Sequence, residues 1–397
     1  DADQELGGLS VSLPPGLLAR VGSVPLCSDA DANAGTCPAD SQIGTIDAGV
    51  GPGPNPLFVK GKAYLTGPYK GGPYGVAVVV PAIAGPFNFG TVVVRQSIRV
   101  DPNDAHVIAV SDPFPTIIDG IPLRLRRVDL SIDRPEFTFN PTNCSKIAFG
   151  GGITSTEGAD SPFGESFQVT NCATLGFKPV FKASTIGKTS RANGASLNVK
   201  LTYPNAPFGS QTNIKSVKVD LPRELPSRLT TLQKACPDAV FNRNPAGCPA
   251  DARVGTATAT TPVMPIKLTG PAYFVSHGGA KFPELIIVLS GENITVDLHG
   301  ETFISKAGIT SSTFRQVPDV PIGVFTLSLP EGPNSALAAP KALCGSALKM
   351  PTAFVAQNGA RIKQSTPITV TGCTKQKVKH KTKKAGKHHK GKPHRKK

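Results

Sequence analysis

Tryptophan is absent from this 397-residue chain and tyrosine occurs only five times. Sugar sites rely on flat aromatic rings for stacking. A carbohydrate-binding module or a carbohydrate-active enzyme of the cell surface is therefore the alternative function, not the leading one. Apolar runs are short: Gly75 to Gly85 and Glu284 to Gly291 are among the longest, well below the ~20 residues a membrane-spanning helix needs. No Gly-x-Ser-x-Gly occurs, which removes the usual hydrolase elbow. Cys-x-x-Cys is also missing, and with it the commonest zinc and redox spacings.

What is abundant is glycine (41) and proline (38), set between short runs rich in Val, Ile, Thr and Phe. That pattern excludes long helices and favours strands and turns. The net charge of +16 is concentrated at one end. Thr374 to Lys397 holds eleven Lys, one Arg, four His and no acid, whereas the preceding residues carry 31 Lys and Arg against 27 Asp and Glu. The body is nearly neutral, and its folded part is not a basic surface.

The phrase CPADSQIGT (Cys37 to Thr45) returns 211 residues later as CPADARVGT (Cys248 to Thr256). Around it SVSLPPGL (Ser10 to Leu17) matches VKVDLPREL (Val217 to Leu225), LTGP recurs at Leu65 and Leu268, and Asp119 to Ile132 resembles Pro318 to Leu329. Ordered matches of this kind mark a tandem duplication. The expected organisation is a first copy over 1–173, a second over 174–373 and a basic tail over 374–397. On that alignment Leu13 pairs with Leu221, Gly44 with Gly255, Gly67 with Gly270, and Ile43 and Val254 are core residues of matching strands. The second copy has about 40 residues, Leu175 to Asn213, before its VKVDLP strand, against about eight before SVSLP. Either the first copy has lost its opening strands or the sequence begins inside a repeat; the second is expected, since a sheet that had lost its first strands would expose an edge. The chain begins at Asp1 and not at Met, as a processed or trimmed form would.

Strand candidates in the second copy alternate apolar and polar residues, as in Leu197-Asn198-Val199-Lys200-Leu201 and Val217-Lys218-Val219-Asp220-Leu221. Period-2 alternation marks a strand with one buried face. The expected fold is all-β: two tandem disulfide-stapled β-sandwich-like repeats with minor helices. Short helices are expected at Ser28 to Gly35, with a Ser N-cap, and at Pro226 to Cys236.

The eight cysteines allow 105 pairings. Repetition reduces these to a close and a wide pair in each copy: Cys27–Cys37, Cys144–Cys172, Cys236–Cys248 and Cys344–Cys373. Metal binding and free thiols are the alternatives; the body histidines His106, His277 and His299 adjoin no Cys. Disulfides imply an oxidising compartment and hence export.

No catalytic, cofactor or metal set emerges. IGKTS (Ile186 to Ser190) resembles the end of a phosphate-binding loop but has Lys182 where the first glycine is required, so it reads as a basic turn. HGGAKF (His277 to Phe282) reads as a hairpin turn. Asp29, Asp31, Asp40 and Asp47 cluster around the first cysteine pair and suggest Ca²⁺ ligation or capping, with only Asp40 repeated, as Asp251. Asp101, Asp104, Asp129, Asp133 and Glu165 read as surface acids.

CPADSQIGT, LTGPYKGGPYG, RPEFTFNPTNC, GKTSRANGASL and LPSRLTTLQKAC together resemble secreted tandem-repeat proteins of actinobacteria with no assigned function. The resemblance covers Asp1 to Cys373. It implies export, β-rich repeats and a bacterial cell-surface setting, transfers no catalytic residue, and implies further sequence before the first copy.

The leading expectation is a non-enzymatic exported cell-surface or cell-envelope protein, structural or adhesive, and extracellular at the cell wall. Its tail is expected to be disordered alone and to bind anionic wall polymers or other polyanions through Lys375, Lys377, Lys379, Lys381, Lys383, Lys384, Lys387, Lys390, Lys392, Arg395, Lys396 and Lys397. Protein partners are not identifiable from the sequence.

Overall fold

A computed structural model describes residues 4–373, except 53, 205–208 and 280; the tail lies outside the described residues. The chain is β-rich with a few short helices. It opens with β1 (Leu6–Ser12) and the two-residue β2 (Leu18–Ala19), then α1 (Asp29–Ala34). Four long strands follow: β3 (Gln42–Val50), β4 (Leu57–Thr66), β5 (Tyr74–Ala84) and β6 (Phe87–Val100). Next come β7 (Val107–Ser111), a small hairpin of β8 (Ile117–Ile118) and β9 (Ile121–Pro122), and β10 (Leu125–Ser131). The short β11 (Thr138–Phe139), β12 (Ile147–Ser155) and β13 (Asp160–Phe167) complete this part.

The second part starts with β14 (Val180–Ile186), β15 (Leu197–Thr202) and β16 (Ile214–Asp220). After α2 (Leu229–Leu232), β17 (Cys236–Pro237) and α3 (Asp238–Arg243) come β18 (Arg253–Thr260), β19 (Lys267–Ser276) and β20 (Glu284–Gly291). The last strands are β21 (Ile294–Ile304), β22 (Thr310–Phe314), β23 (Val324–Leu329), β24 (Lys349–Ala356) and β25 (Arg361–Thr371).

The first sheet has nine strands in the order β10-β3-β4-β5-β6-β7-β1-β12-β13. In the second, β23-β18-β19-β20-β21-β22-β16-β24-β25 occur in the corresponding order, with β14 and β15 added between β25 and β23. That insertion and the β19–β20 pairing close eleven strands into a ring, with β17 as a short parallel appendage of β19. β14 runs parallel to β25 and antiparallel to β15, and β15 pairs antiparallel with β23. The second sheet is thus a closed barrel and the first an open, partial one. This corrects the expected sandwich-like repeats. Alternation reports one buried face per strand, which a barrel wall and a sandwich layer share; whether a sheet meets a second sheet or its own far edge depends on strand order and tilt.

Register identifies the equivalent positions. Gly44 and Gly255 each follow a register shift, between Gln42 and Gly44 and between Arg253 and Gly255. A Cβ on either would run into a neighbouring carbonyl, that of Ser131 or Ser328, so glycine is required twice for one reason. Leu13 N–H donates to the carbonyl of Val107 as Leu221 N–H does to that of Thr310, which aligns these two leucines. Ile43 and Val254 are both buried.

The LTGP match fails. Gly44 faces Ala63 and Gly255 faces Ala272, so Leu65 aligns with Phe274, and the second LTGP lies near the other end of its strand. The partner of Gly270 is Gly61, not Gly67. A Cβ on Gly61 or Gly270 would strike the carbonyl of Val79 or Val288, which are themselves equivalent, while Gly67 faces open space.

The first predicted helix forms over its whole span and the second only in part. Ser28 caps α1, its hydroxyl accepting from Asp31 N–H, and Gly35 ends it with φ of 71°. α2 covers only one turn of its predicted span, and α3 lies inside the second close cysteine pair.

Gly61→Ala and Gly270→Ala should each destabilise the protein by about 1–3 kcal/mol through overpacking. Gly67→Ala should stay within about 0.5 kcal/mol of wild type. Urea unfolding midpoints of the three variants check the corrected register.

Candidate functional site

The eight cysteines form four disulfides, Cys27–Cys37, Cys144–Cys172, Cys236–Cys248 and Cys344–Cys373, leaving no free thiol among the described residues. The close pairs bracket α1 and α3. The Cys344–Cys373 bridge lies where the ring closes: a Cβ on Gly187, just beyond β14, would collide with both sulfurs, and Gly187 N–H donates to the Thr371 carbonyl at the end of β25. This packing accounts for the glycine of IGKTS without a phosphate.

The other sequence candidates are dispersed. Asp29 pairs with Arg95, Asp31 bonds Ser28, and Asp251 bonds Lys234 and Asn334. Gly278 and Gly279 of HGGAKF have φ of 74° and 69°, as a turn requires. His277 and His299 both face Glu284. Asp101, Asp104 and His106 are the one set of described residues close enough to share a cation; they sit on the β6–β7 turn, where Asp101 accepts from Asn103 N–H and Asp104 from His106 N–H. No helix among the described residues is long and apolar enough to cross a membrane.

Sequence inspection gave no sign of Arg95. Its guanidinium is buried, bonds Asp29 and Asn33 on α1, and stacks 4.1 Å from the centre of the Tyr69 ring. It pins the disulfide-bracketed helix to the sheet. His299 occupies the matching place in the second sheet, opposite Ile286 as Arg95 is opposite Ala77.

The two sheets are joined at a buried carboxylate. Asp319 accepts bonds from Thr142 N–H (2.7 Å), Thr142 Oγ1 (2.5 Å), Asn143 N–H (3.1 Å) and Asn213 Nδ2 (2.8 Å). Gly16, with φ of 90°, is packed so closely on this carboxylate that a Cβ would meet it. An apolar seam continues from there, with Tyr74, Ile98 and Val107 on one side and Leu268, Leu289 and Phe325 on the other. Asp319 is therefore an architectural group. Burial raises its carboxyl pKa above 3.8, against the opposing effect of the donated bonds.

An apolar recess occupies the concave face of the first sheet. A cavity of about 420 Å³ is lined by Val11, Val78, Phe89, Val94 and Leu130, with Ile118 of the β8–β9 hairpin at its margin. The equivalent space in the closed barrel holds only about 140 Å³, because Phe181, Leu197, Val199 and Leu201 of β14 and β15 help fill it. Equivalent positions show the difference. Leu130 is 41% exposed and Ile132 37%, whereas their counterparts Leu327 and Leu329 are 8% and 5% exposed. Ile153 is 39% exposed and its counterpart Phe354 1%. The apolar alternation of β10 and β12 thus faces an uncovered trough, and β10 and β13 each pair on one side only.

No protein-family model matches the chain, and no curated protein matches it. Among solved structures it is similar to the Streptococcus agalactiae AgI/II polypeptide BspA C-terminal domain, with 9% identity over 92% of this chain and 94% of that one, at a TM-score of 0.21. A mutant BspA C chain gives 11% identity over 67% and 66%, at a TM-score of 0.22. Likeness at this level carries no argument about fold or role.

Asp319→Ala should destabilise the protein by about 3 kcal/mol or more, since it strands several buried donors. The raised pKa means the folded chain holds the Asp319 proton more tightly than the unfolded chain, so that contribution is present below pH 3.8 and fades as pH rises above it. The stability gap between wild type and Asp319→Asn should accordingly narrow from acid to neutral pH, as measured by urea unfolding at a series of pH values.

Proposed function

We propose that this is a non-enzymatic, exported cell-surface protein with a structural or adhesive role, held at the cell wall by its cationic tail. The observation that carries the reading is the pairing of all eight cysteines into four disulfides, two in each part of the chain. Structural disulfides persist in oxidising surroundings and each stabilises a fold by about 2–4 kcal/mol. Such bridges, with two sheets joined through a buried polar network, suit a module that must keep its shape outside the cell.

The tail supplies attachment in this reading. Twelve Lys and Arg without an acid between Thr374 and Lys397 form a polycation. Polycations bind phosphate-rich polymers by displacing counterions, so affinity falls steeply with salt. The four tail histidines add charge below about pH 6.5, which strengthens the attraction in mild acid.

Retention on isolated cell walls across a salt gradient tests the reading. The full chain should remain bound at low salt and elute as salt rises, while a chain ending at Cys373 should elute early. Equal retention of the two forms at low salt would remove the tether.

A further inference from the structure

We propose that the outer wall of the closed barrel carries a recess that binds the phosphate groups of a linear phosphate polymer. The recess lies on the folded body, apart from the cationic tail, and the inference stands whether or not the tail binds the wall.

Sheet register builds the recess. β22, β16, β24 and β25 are consecutive neighbours. Ser216 faces Val355, which faces Arg361, and Arg315 follows Phe314, whose partner is Val217. Val217, Phe314 and Phe354 line the barrel interior. By alternation Arg315, Ser216, Val355 and Arg361 point outward in one line across the four strands. The arginines end that line, roughly 14 Å apart at three strand spacings. Lys215 sits at the register shift between Ile214 and Ser216, where a bulge re-aims a side chain. It lines the same shallow, open cavity of about 400 Å³ as both arginines, beside the hydroxyl residues Ser216 and Thr313. The rim is fixed. Gln357 Nε2 donates to the carbonyls of Ile214 and Val317, and Val317 N–H donates to that of Lys215. In the next outward line Lys218 faces Ala353, which faces Lys363.

The nearly neutral body conceals a local imbalance here. Among the described residues Arg315 pairs with Glu301 and Lys218 with Asp220, while Lys215, Arg361 and Lys363 have no ion pair. Five exposed cations thus gather around two carboxylates. The first sheet is the internal control. There Gly7 and Ser10 take the places of Lys215 and Lys218. Ser10 faces Val110 as Lys218 faces Thr313, which puts Asp112 in the place of Arg315. Thr154 faces Asp160 as Val355 faces Arg361, and Pro162 stands where Lys363 does. None of the five cations recurs, and two positions carry carboxylates instead. The strand pairing forms in the first sheet without them, so the fold does not require them.

Guanidinium forks hold phosphate oxygens through paired hydrogen bonds. Small-molecule sites enclose most of their ligand, which an open recess does not. Its two lines of cations, about 7 Å apart along the strands, suit successive charges of a chain lying across the surface. Five cations hold such a chain less firmly than the twelve of the tail, so a chain ending at Cys373 still elutes early from cell walls.

The probes are a short linear polyphosphate and inorganic phosphate. Each is titrated into the full isotope-labelled protein and into a chain ending at Cys373, and backbone amide shifts are read by NMR. In both forms polyphosphate should saturably shift residues 215–218, 313–315 and 355–363. It should do so at a phosphate concentration about tenfold or more below that needed with inorganic phosphate. Residues 7–10, 110–112 and 160–162 should not respond. Lys215→Gln with Arg361→Gln alters exposed side chains without ion pairs; this variant should fold, keep its four disulfides and need about tenfold more polyphosphate. Arg361→Asp installs the residue of the first sheet and should abolish the response. Recess shifts in the shortened chain report this site alone, so failure of the tail and failure of the recess are distinguishable. Absence of saturable recess shifts, undiminished shifts in the variants, or an equal response of the first sheet would overturn the proposal. So would inorganic phosphate acting as well as polyphosphate at equal phosphate concentration.

Discussion

Each strand has hydrogen-bonding groups on both sides, and a sheet leaves no edge unpaired only when it closes. This constraint orders the whole molecule. The second sheet meets it with eleven strands, and its first and last strands by sequence, β14 and β25, lie side by side as a parallel pair. Among the described residues the first sheet follows the same order with nine strands and has no counterparts of β14 and β15. Its remaining features follow: a wide apolar trough in place of a filled interior, and exposed Leu130, Ile132 and Ile153 where the closed barrel has buried side chains.

The stabilising devices are distributed around this difference. Close disulfides hold one short helix on each sheet, and Arg95 reinforces the first of these caps from beneath. The Cys344–Cys373 bridge lies against Gly187 at the closure seam. At the corresponding end of the open sheet the Cys144–Cys172 bridge is tied instead to the second sheet, through Asn358 Nδ2 donating to the carbonyls of Cys172 and Leu175. With the Asp319 network, this lets the closed barrel brace the open one. Apolar burial between the sheets adds to stability roughly in proportion to area, while the polar network fixes how they meet.

Much of this was legible in the sequence. Matched cysteines identified the four bridges, and alternation in Leu197–Leu201 and Val217–Leu221 located strands. β22 escaped notice because Thr-Ser-Ser-Thr-Phe has no apolar alternation, although Thr310 and Ser311 are buried. The LTGP repeat misled because a four-residue word recurs on equivalent strands at non-equivalent heights, and only hydrogen-bond register separates chance similarity from descent. Closure was not legible, since period 2 describes a strand's faces and not the curvature of its sheet. The trough depends on which strands lack a neighbour, and the match of Asp119 to Ile132 with Pro318 to Leu329 carries no sign of that.

The central claim is that the nine described strands of the first sheet repeat the order of the barrel's and leave β10 and β13 as its edges. Native-state hydrogen exchange of the full chain tests it most directly, by comparing β10 and β13 with their counterparts β23 and β25. The account predicts that amides along the outer edges of Leu125–Ser131 and Asp160–Phe167 exchange far faster than those of Val324–Leu329 and Arg361–Thr371, because only the latter are paired on both sides. Equal protection in the two sets would contradict it.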